Sequence, residues 1–422
     1  MFNRRYHTVS LGCPKNKVDT ERFSWVLNAT GWEYCEDPDS ADLILLNTCA
    51  FIAPATEESI EYLSDLILWK EQLAGRKLVL AGCLPGRYKD DGSGGLEDID
   101  LVIGPGEWRK LSVWLGASIL KPALISGSGS FRYLKIAEGC SNGCAYCTIP
   151  AIRGPFSPSS LDTVLEESDM LVEQGAREIG LVAQDSGSWS QSGMDICSLT
   201  RTLSERHPSV WWRLYYLHPA HFPHSLPELF VTHPNVVPYI DMPVQHASEK
   251  VLVRMGRKHT LKALEQIMEQ LEESPAEIAV RYTVITGYPG ETEDDFIQLR
   301  NFLGRYRCGR HIAAFTWYPE EGTLEYERAA SRGDAVDDST ASYRLASLSS
   351  VGDSLYADWD DRLQGRVIDI VSDDELTGHT KWDAPEVDAV VTFTKSVEPA
   401  SVIRAKVVES SGAVLVAEPL SE

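Results

Sequence analysis

The sequence predicts an α/β protein in three successive parts: an open parallel α/β sheet, a partial (β/α) barrel, and a small antiparallel β-barrel. Three observations predict it. Near the start, strand-length apolar runs recur at intervals of about 35 residues, the first two followed by helical stretches, as βα units require. Longer strand–helix alternation then continues to about residue 320. Beyond residue 361 the texture changes to short β-rich runs broken by turn signals.

The first part contains YHTVSLGC ending at Cys13, DLILLNTC ending at Cys49 and KLVLAGC ending at Cys83. A helical run beginning at Thr20 and Glu21 follows the first; Pro54 to Trp69, with Ile60, Leu63, Ile67 and Leu68 as its apolar stripe, follows the second. Open parallel sheets bind ligands outside the carboxyl ends of their strands, so three cysteines at three such ends should face one crevice. One buried thiol at a strand end is an ordinary packing residue. Three in equivalent places make a metal site the better reading, whereas Cys35, Cys197 and Cys308 lack that setting and are expected to pack.

A Gly/Ser-rich linker, ISGSGSF, leads into the middle part, where REIGLVAQD, WWRLYYLHP, VPYIDMPVQH and VRYTVITGYPGET read as strands. LDTVLEESDMLVEQG and LKALEQIMEQLEES read as helices between them. Ahead of these lies KIAEGCSNGCAYCTIP, whose Cys140, Cys144 and Cys147 have C-x3-C-x2-C spacing. Structural zinc sites close with four ligands, but three thiolates on a four-iron cluster leave one iron open to a small molecule. Gly139 and Gly143 ease a tight loop, and Tyr146 precedes the last cysteine. The rival readings are a zinc knuckle short of a ligand and thiols spaced by chance. The polar segment from about residue 320 is expected to mix an irregular loop with a connecting helix, and GRVIDIVSD, DAVVTFT, VIRAKVVES and AVLVAEP form the last barrel. The boundaries expected are 1–120, 126–358 and 360–422.

At 422 residues the chain accommodates two or three domains. Its apolar runs have strand length and none approaches the roughly twenty residues of a membrane span. With no signal-peptide stretch at its start, it is expected in the cytoplasm, where nine unevenly spaced cysteines point to metal ligation rather than disulfides. A net charge of −23 argues against a dedicated nucleic-acid binder and suits a basic partner, although much of it also serves solubility.

Taken together, SLGCPKNKVDTE, NTCAFIAPATEES, AGCLPGRY, IAEGCSNGCAYCTIPAIRG and DMPVQHASEKVLVRMGRKHT resemble the radical S-adenosylmethionine (SAM) methylthiotransferase family, RimO type, over essentially the whole chain. The resemblance implies an N-terminal methylthiotransferase domain, a central radical SAM domain and a C-terminal TRAM domain. It implies that Cys140, Cys144 and Cys147 hold a [4Fe-4S] cluster whose open iron SAM chelates, and that Cys13, Cys49 and Cys83 hold a second, auxiliary [4Fe-4S] cluster. In the family, one SAM methylates a sulfur on the auxiliary cluster, and a second is cleaved to a 5′-deoxyadenosyl radical that opens a C–H bond too inert for an ordinary general base. In enzymes of the RimO type that carbon is the β-carbon of an aspartate in the twelfth small-subunit ribosomal protein. A reductant such as flavodoxin or ferredoxin is implied as a further partner. Under this reading Gln184, Asp185 and Arg213 are candidates to meet SAM, the turn bearing Gly287 and Gly290 to let backbone approach it, and Gln245 and His246 to border the substrate. Strand-end capping and plain turns are the competing accounts. The chain departs from the family in AIRGPFSPSS, less basic than usual, and in the acidic insertion DDGSGGLEDID.

The same chemistry on tRNA, as in MiaB-like enzymes, is the nearest alternative; a non-catalytic iron–sulfur protein and a zinc-binding interaction protein are the others. The last segment, from Asp360, carries thirteen acidic side chains against six basic ones, so it should repel phosphate and attract a basic protein. Trp382 and Phe393 are expected in the barrel core rather than stacked on bases.

Overall fold

Pro14 follows Cys13 directly, and because proline is preorganised for the first helical position it starts a helix six residues earlier than the Thr20 expected from amphipathicity. A computed structural model describes residues 4–88, 97–119 and 129–420. The chain divides into two compact units, the first comprising Met1–Gly127, Glu138–Gly143 and Cys147–Ser157, the second Ser128–Ala137, Cys144–Tyr146 and Pro158–Glu422. The Gly/Ser-rich linker and the acidic insertion lie mostly outside the described residues.

In the first unit β1 (Arg5–Ser10), α1 (Pro14–Ala29), β2 (Glu33–Tyr34), β3 (Leu43–Thr48), α2 (Ala53–Glu71), β4 (Lys77–Gly82), α3 (Cys83–Arg87) and β5 (Leu101–Ile103) succeed one another. The sheet is wholly parallel in the order β2-β1-β3-β4-β5. Its middle strands read as continuous apolar runs because both faces are covered, and β3 is buried along its whole length. Leu63, Leu66 and Ile67 of α2 face the sheet, while Ile60 and Leu68, counted in the stripe by sequence, are exposed.

In the second unit six parallel strands stand in simple chain order: β6 (Phe131–Lys135), then Glu178–Val182, Trp211–Leu214, Val236–Gln245, Ala279–Thr286 and Gly309–Thr316. Strictly sequential parallel strands with helical crossovers make an open, partial (β/α) barrel. Its first and last strands escaped the sequence reading. The connecting helices begin at side-chain caps, with Ser160 before Leu161–Glu173, Thr260 before Leu261–Glu272 and a Thr292/Asp295 capping box before Glu293–Leu303. The segment after residue 320 is two helices, Leu324–Arg332 and Asp338–Leu363, the longer packing on the last strand through Trp359, whose indole N–H bonds the Gly309 carbonyl at 2.8 Å.

Five strands, Val367–Ser372, Thr377–Thr380, Val390–Phe393, Val402–Ser411 and Val414–Pro419, close into the final barrel. It is antiparallel except for one pair: Val390–Phe393 runs parallel to Val414–Pro419, because the ten-residue strand between them carries the chain back across the barrel. Trp382 and Phe393 are buried in it or against the sheet. The barrel meets the sheet through buried ion pairs. Arg310 makes a bidentate pair with Asp383 (2.8 and 3.2 Å), Arg281 pairs with Asp388, and Glu178 lies between Arg213 and His379.

Candidate active site

β1, β3 and β4 are neighbours in the first sheet, so the turns that follow them place Cys13, Cys49 and Cys83 side by side at its carboxyl edge. Glycines make that approach possible. Gly12 has φ +84°, and a Cβ there would fall 2.7 Å from the Cβ of Cys49 and 2.9 Å from its sulfur; Gly82, with φ +93°, would strike the Thr48 carbonyl at 2.6 Å. Buried amides stitch the same edge: Asn16 Nδ2 donates to the carbonyls of Leu11 and Thr48, both at 2.9 Å, and Asn47 Nδ2 donates to the Asn16 carbonyl at 2.9 Å. The Ser59 hydroxyl donates to the Cys49 carbonyl (2.6 Å) and accepts from its N–H (3.1 Å).

The thiols feel one another. Burial pushes Cys49 up to about 11, an N–H at Phe51 opposes it, and the Cys83 and Cys13 sulfurs add to the rise. Burial acts the same way on Cys83, against the nearby Arg153. At Cys13 burial is outweighed by Lys15, Arg153 and the N–H groups of Asn16 and Lys15 at the start of α1, and its pKa falls below the usual thiol value. Three sulfurs that repel as anions, one at the positive start of α1 and another beside a guanidinium, suit a cationic iron–sulfur core.

The triplet lies on the loop between β6 and α5 (Ile149–Arg153). Gly139 and Gly143 both have positive φ, as a tight loop needs, and the Cys140 N–H bonds the Gly154 carbonyl at 3.1 Å. Arg153, at the end of α5, is buried with Nη1 on Glu138 (2.8 Å) and Asp19 (3.4 Å) and Nη2 on Asn16 and on the sulfur of Cys83 (3.4 Å). In the second unit Arg257 Nη1 reaches the sulfur of Cys144 at 3.5 Å. Sequence reasoning missed Asn16, Arg153 and Arg257. Each lies inside a segment quoted for its other residues, but long-range packing alone reveals the role.

The model of the Uncharacterized protein family UPF0004 matches residues 5–104, and that of the Radical SAM superfamily matches residues 134–303. Ribosomal protein uS12 methylthiotransferase RimO of Trichlorobacter lovleyi is 34% identical over 100% of this chain and 99% of its own, and that of Moorella thermoacetica 36% identical over 94% of each. The chain belongs to the ribosomal protein uS12 methylthiotransferase family. It is a radical SAM methylthiotransferase. Among solved structures, the radical SAM methyltransferase TsrM of Kitasatospora setae aligns with a TM-score of 0.57 over 78% of each chain at 14% identity, and the cobalamin-dependent SAM radical enzyme OxsB with 0.52 over 79% of this chain and 56% of its own at 13% identity. These likenesses concern the fold.

The carboxyl end of the central sheet holds Gln184, Asp185, Gln245 and His246. Asp185 Oδ2 accepts from the Ser188 hydroxyl at 2.8 Å and lies 2.7 Å from His221 Nδ1. Gln245 is buried in the left-handed region at φ +67°, a strained state for a non-glycine residue of the kind that collects at functional sites. His246 is fully buried and accepts from the Ser248 N–H at 2.9 Å, so it fixes the turn. One expectation is corrected. Arg213 spends its guanidinium on Glu178 and on the carbonyls of Thr380 and Lys381 (3.2 Å each), with the Tyr239 ring beneath it, and joins the sheet to the terminal barrel instead of meeting SAM. Gly287 and Gly290 have positive φ, and the space a Cβ would need is filled by Ala341 and by the Arg254 side chain, so the turn's own conformation and packing already require glycine.

Proposed function

We propose that this chain inserts a methylthio group at the β-carbon of an aspartate in ribosomal protein uS12, using SAM, the cluster held by Cys140, Cys144 and Cys147, and a second four-iron cluster held by Cys13, Cys49 and Cys83. The observation that carries this reading is the convergence of three cysteines at adjacent strand ends. Cys140, Cys144 and Cys147 would hold the cluster that serves radical formation from SAM, and Cys13, Cys49 and Cys83 the one that would serve sulfur supply. When bound, the two clusters provide reductive cleavage of SAM and a methylated sulfur. The protein's part is placement: α1 presents Cys13 at its first turn, Ser59 and Asn16 hold the turns at Cys49 and beside Cys13, Arg153 balances negative charge on Cys83, and Arg257 does so at Cys144.

The substrate assignment rests on the relatives and on chemistry more than on charge. Of the acids that make the last segment look anionic, Asp373, Asp383 and Asp388 are paired with His379, Arg310 and Arg281, so the outer surface is less acidic than the sequence count implies. Among the described residues no helix is long and apolar enough to cross a membrane. Anaerobic turnover of the reconstituted chain with SAM, a low-potential reductant such as reduced flavodoxin, and uS12 tests the proposal. Mass spectrometry should find one methylthio group on one aspartate; modified tRNA with unmodified uS12 would overturn it.

A further inference from the structure

His218 follows the Trp211–Leu214 strand and ends at the carboxyl side of the central sheet, 4% exposed. Its Nδ1 accepts from the Ala220 N–H at 3.0 Å, which leaves the proton on Nε2, and Nε2 is buried without a hydrogen-bond partner. His259 stands edge-on to it with ring centroids 5.7 Å apart, and Arg257, also buried, has an unpartnered Nε while its Nη1 touches the sulfur of Cys144. Burial, then Arg257, His259, His221 and Lys258, hold His218 down to about 2, so it is a neutral N–H donor throughout the working range.

The trio Asp185, His218 and His221 has its ligating atoms within 4.8 Å of one another, as a metal site would. The tautomer argues otherwise. A ligating imidazole presents a lone pair and donates from its other nitrogen, whereas His218 has its Nδ1 lone pair occupied by a backbone N–H and a hydrogen on Nε2. Oδ2 of Asp185 is meanwhile engaged by Ser188 and His221. This end of the sheet holds a buried N–H of His218 and a buried N–H of Arg257 beside Cys144, together with the unpartnered ring nitrogens of His259. Buried donors without partners are costly, and two of them near a permanent cation form a receptor for an anion.

We propose that His218 and Arg257 form a carboxylate-binding site next to Cys144, and that it grips the side-chain carboxylate of the target aspartate. This rests on the substrate reading above. Two carboxylates enter the site, the other being that of SAM; SAM is taken to chelate the open iron through its amino and carboxylate groups, which leaves these donors to the substrate. Holding the carboxylate fixes the neighbouring β-carbon, the atom to be opened.

The test compares binding of two uS12 peptides to the reconstituted, unreduced protein by calorimetry, one with the target aspartate and one with asparagine in its place. Wild type should prefer the aspartate peptide by at least tenfold; His218→Phe should erase the preference, and His218→Gln, which keeps an N–H donor, should retain much of it at equal iron content. Equal binding of the two peptides to wild type, or an undiminished preference in His218→Phe, would sink the site alone. A weakened SAM Kd in His218→Phe with the peptide preference intact would assign the carboxylate to SAM and overturn the proposal. Failure of both peptides to bind wild type would defeat the substrate reading and the site with it.

Discussion

Arg153 donates from Nη2 to the sulfur of Cys83 at 3.4 Å, which ties the segment just after Cys147 to the third cysteine of the other triplet. Because the same guanidinium pairs with Asp19 and Glu138 while buried, Arg153→Met leaves two carboxylates without their cation, a loss of about 3–5 kcal/mol. The reconstituted variant is expected to hold about half the iron of wild type, the loss falling on the cluster proposed at Cys13, Cys49 and Cys83. Iron and sulfide analysis with electron paramagnetic resonance of the reduced protein checks it. Full iron loading would show that Arg153 is not needed there.

Gly82→Ala places a Cβ at φ +93° against Asn47 and the Thr48 backbone. Gly31→Ala is the control, because at φ +83° nothing lies within 4 Å of its added Cβ. The control should cost only the left-handed backbone penalty of about 1–2 kcal/mol, and Gly82→Ala should cost more and shift Cys83 out of place. Thermal unfolding and auxiliary iron content, read on both variants, distinguish strain from a general loss of stability.

His379 gives a pH dependence with a defined sign. Burial alone would lower its pKa, but Glu178 and Asp373 overcome that and raise it to about 9. An unfolded chain leaves it near 6.5, so the stabilisation is complete below pH 6.5 and is lost as pH rises toward 9. The whole change is about 3 kcal/mol by the usual conversion. Unfolding midpoints of wild type and His379→Gln should differ most below pH 6.5 and converge above pH 9; a constant difference would refute this origin.

Arg310 and Asp383 are both fully buried at the junction of sheet and barrel. Asp383→Asn should destabilise the protein by about 3–5 kcal/mol, because Arg310 keeps an uncompensated charge. The double change Arg310→Leu with Asp383→Leu should recover most of that loss. Chemical denaturation of the two variants measures it, and a double variant less stable than Asp383→Asn would show that the pair is worth more than apolar packing there.

The sequence by itself determined the two triplets, the α/β succession and the terminal barrel, because these depend on local periodicity, on turn residues beside the cysteines, and on spacings a few residues long. Cys13, Cys49 and Cys83 were legible as strand ends, and that they are neighbours follows from the order β1-β3-β4. What tertiary structure decided were the partners of buried polar groups. Arg213 looked like a ligand contact because charge among apolar residues is costly, but its compensation comes from Glu178 in the same sheet and from carbonyls almost 170 residues away. The acidic count of the last segment suggests attraction of a basic partner, but Asp383 and Asp388 are paired inside with Arg310 and Arg281. Arg153, His218 and Arg257 stand in segments read for other residues; only folding brings a guanidinium to Cys83 and unsatisfied donors to the side of Cys144.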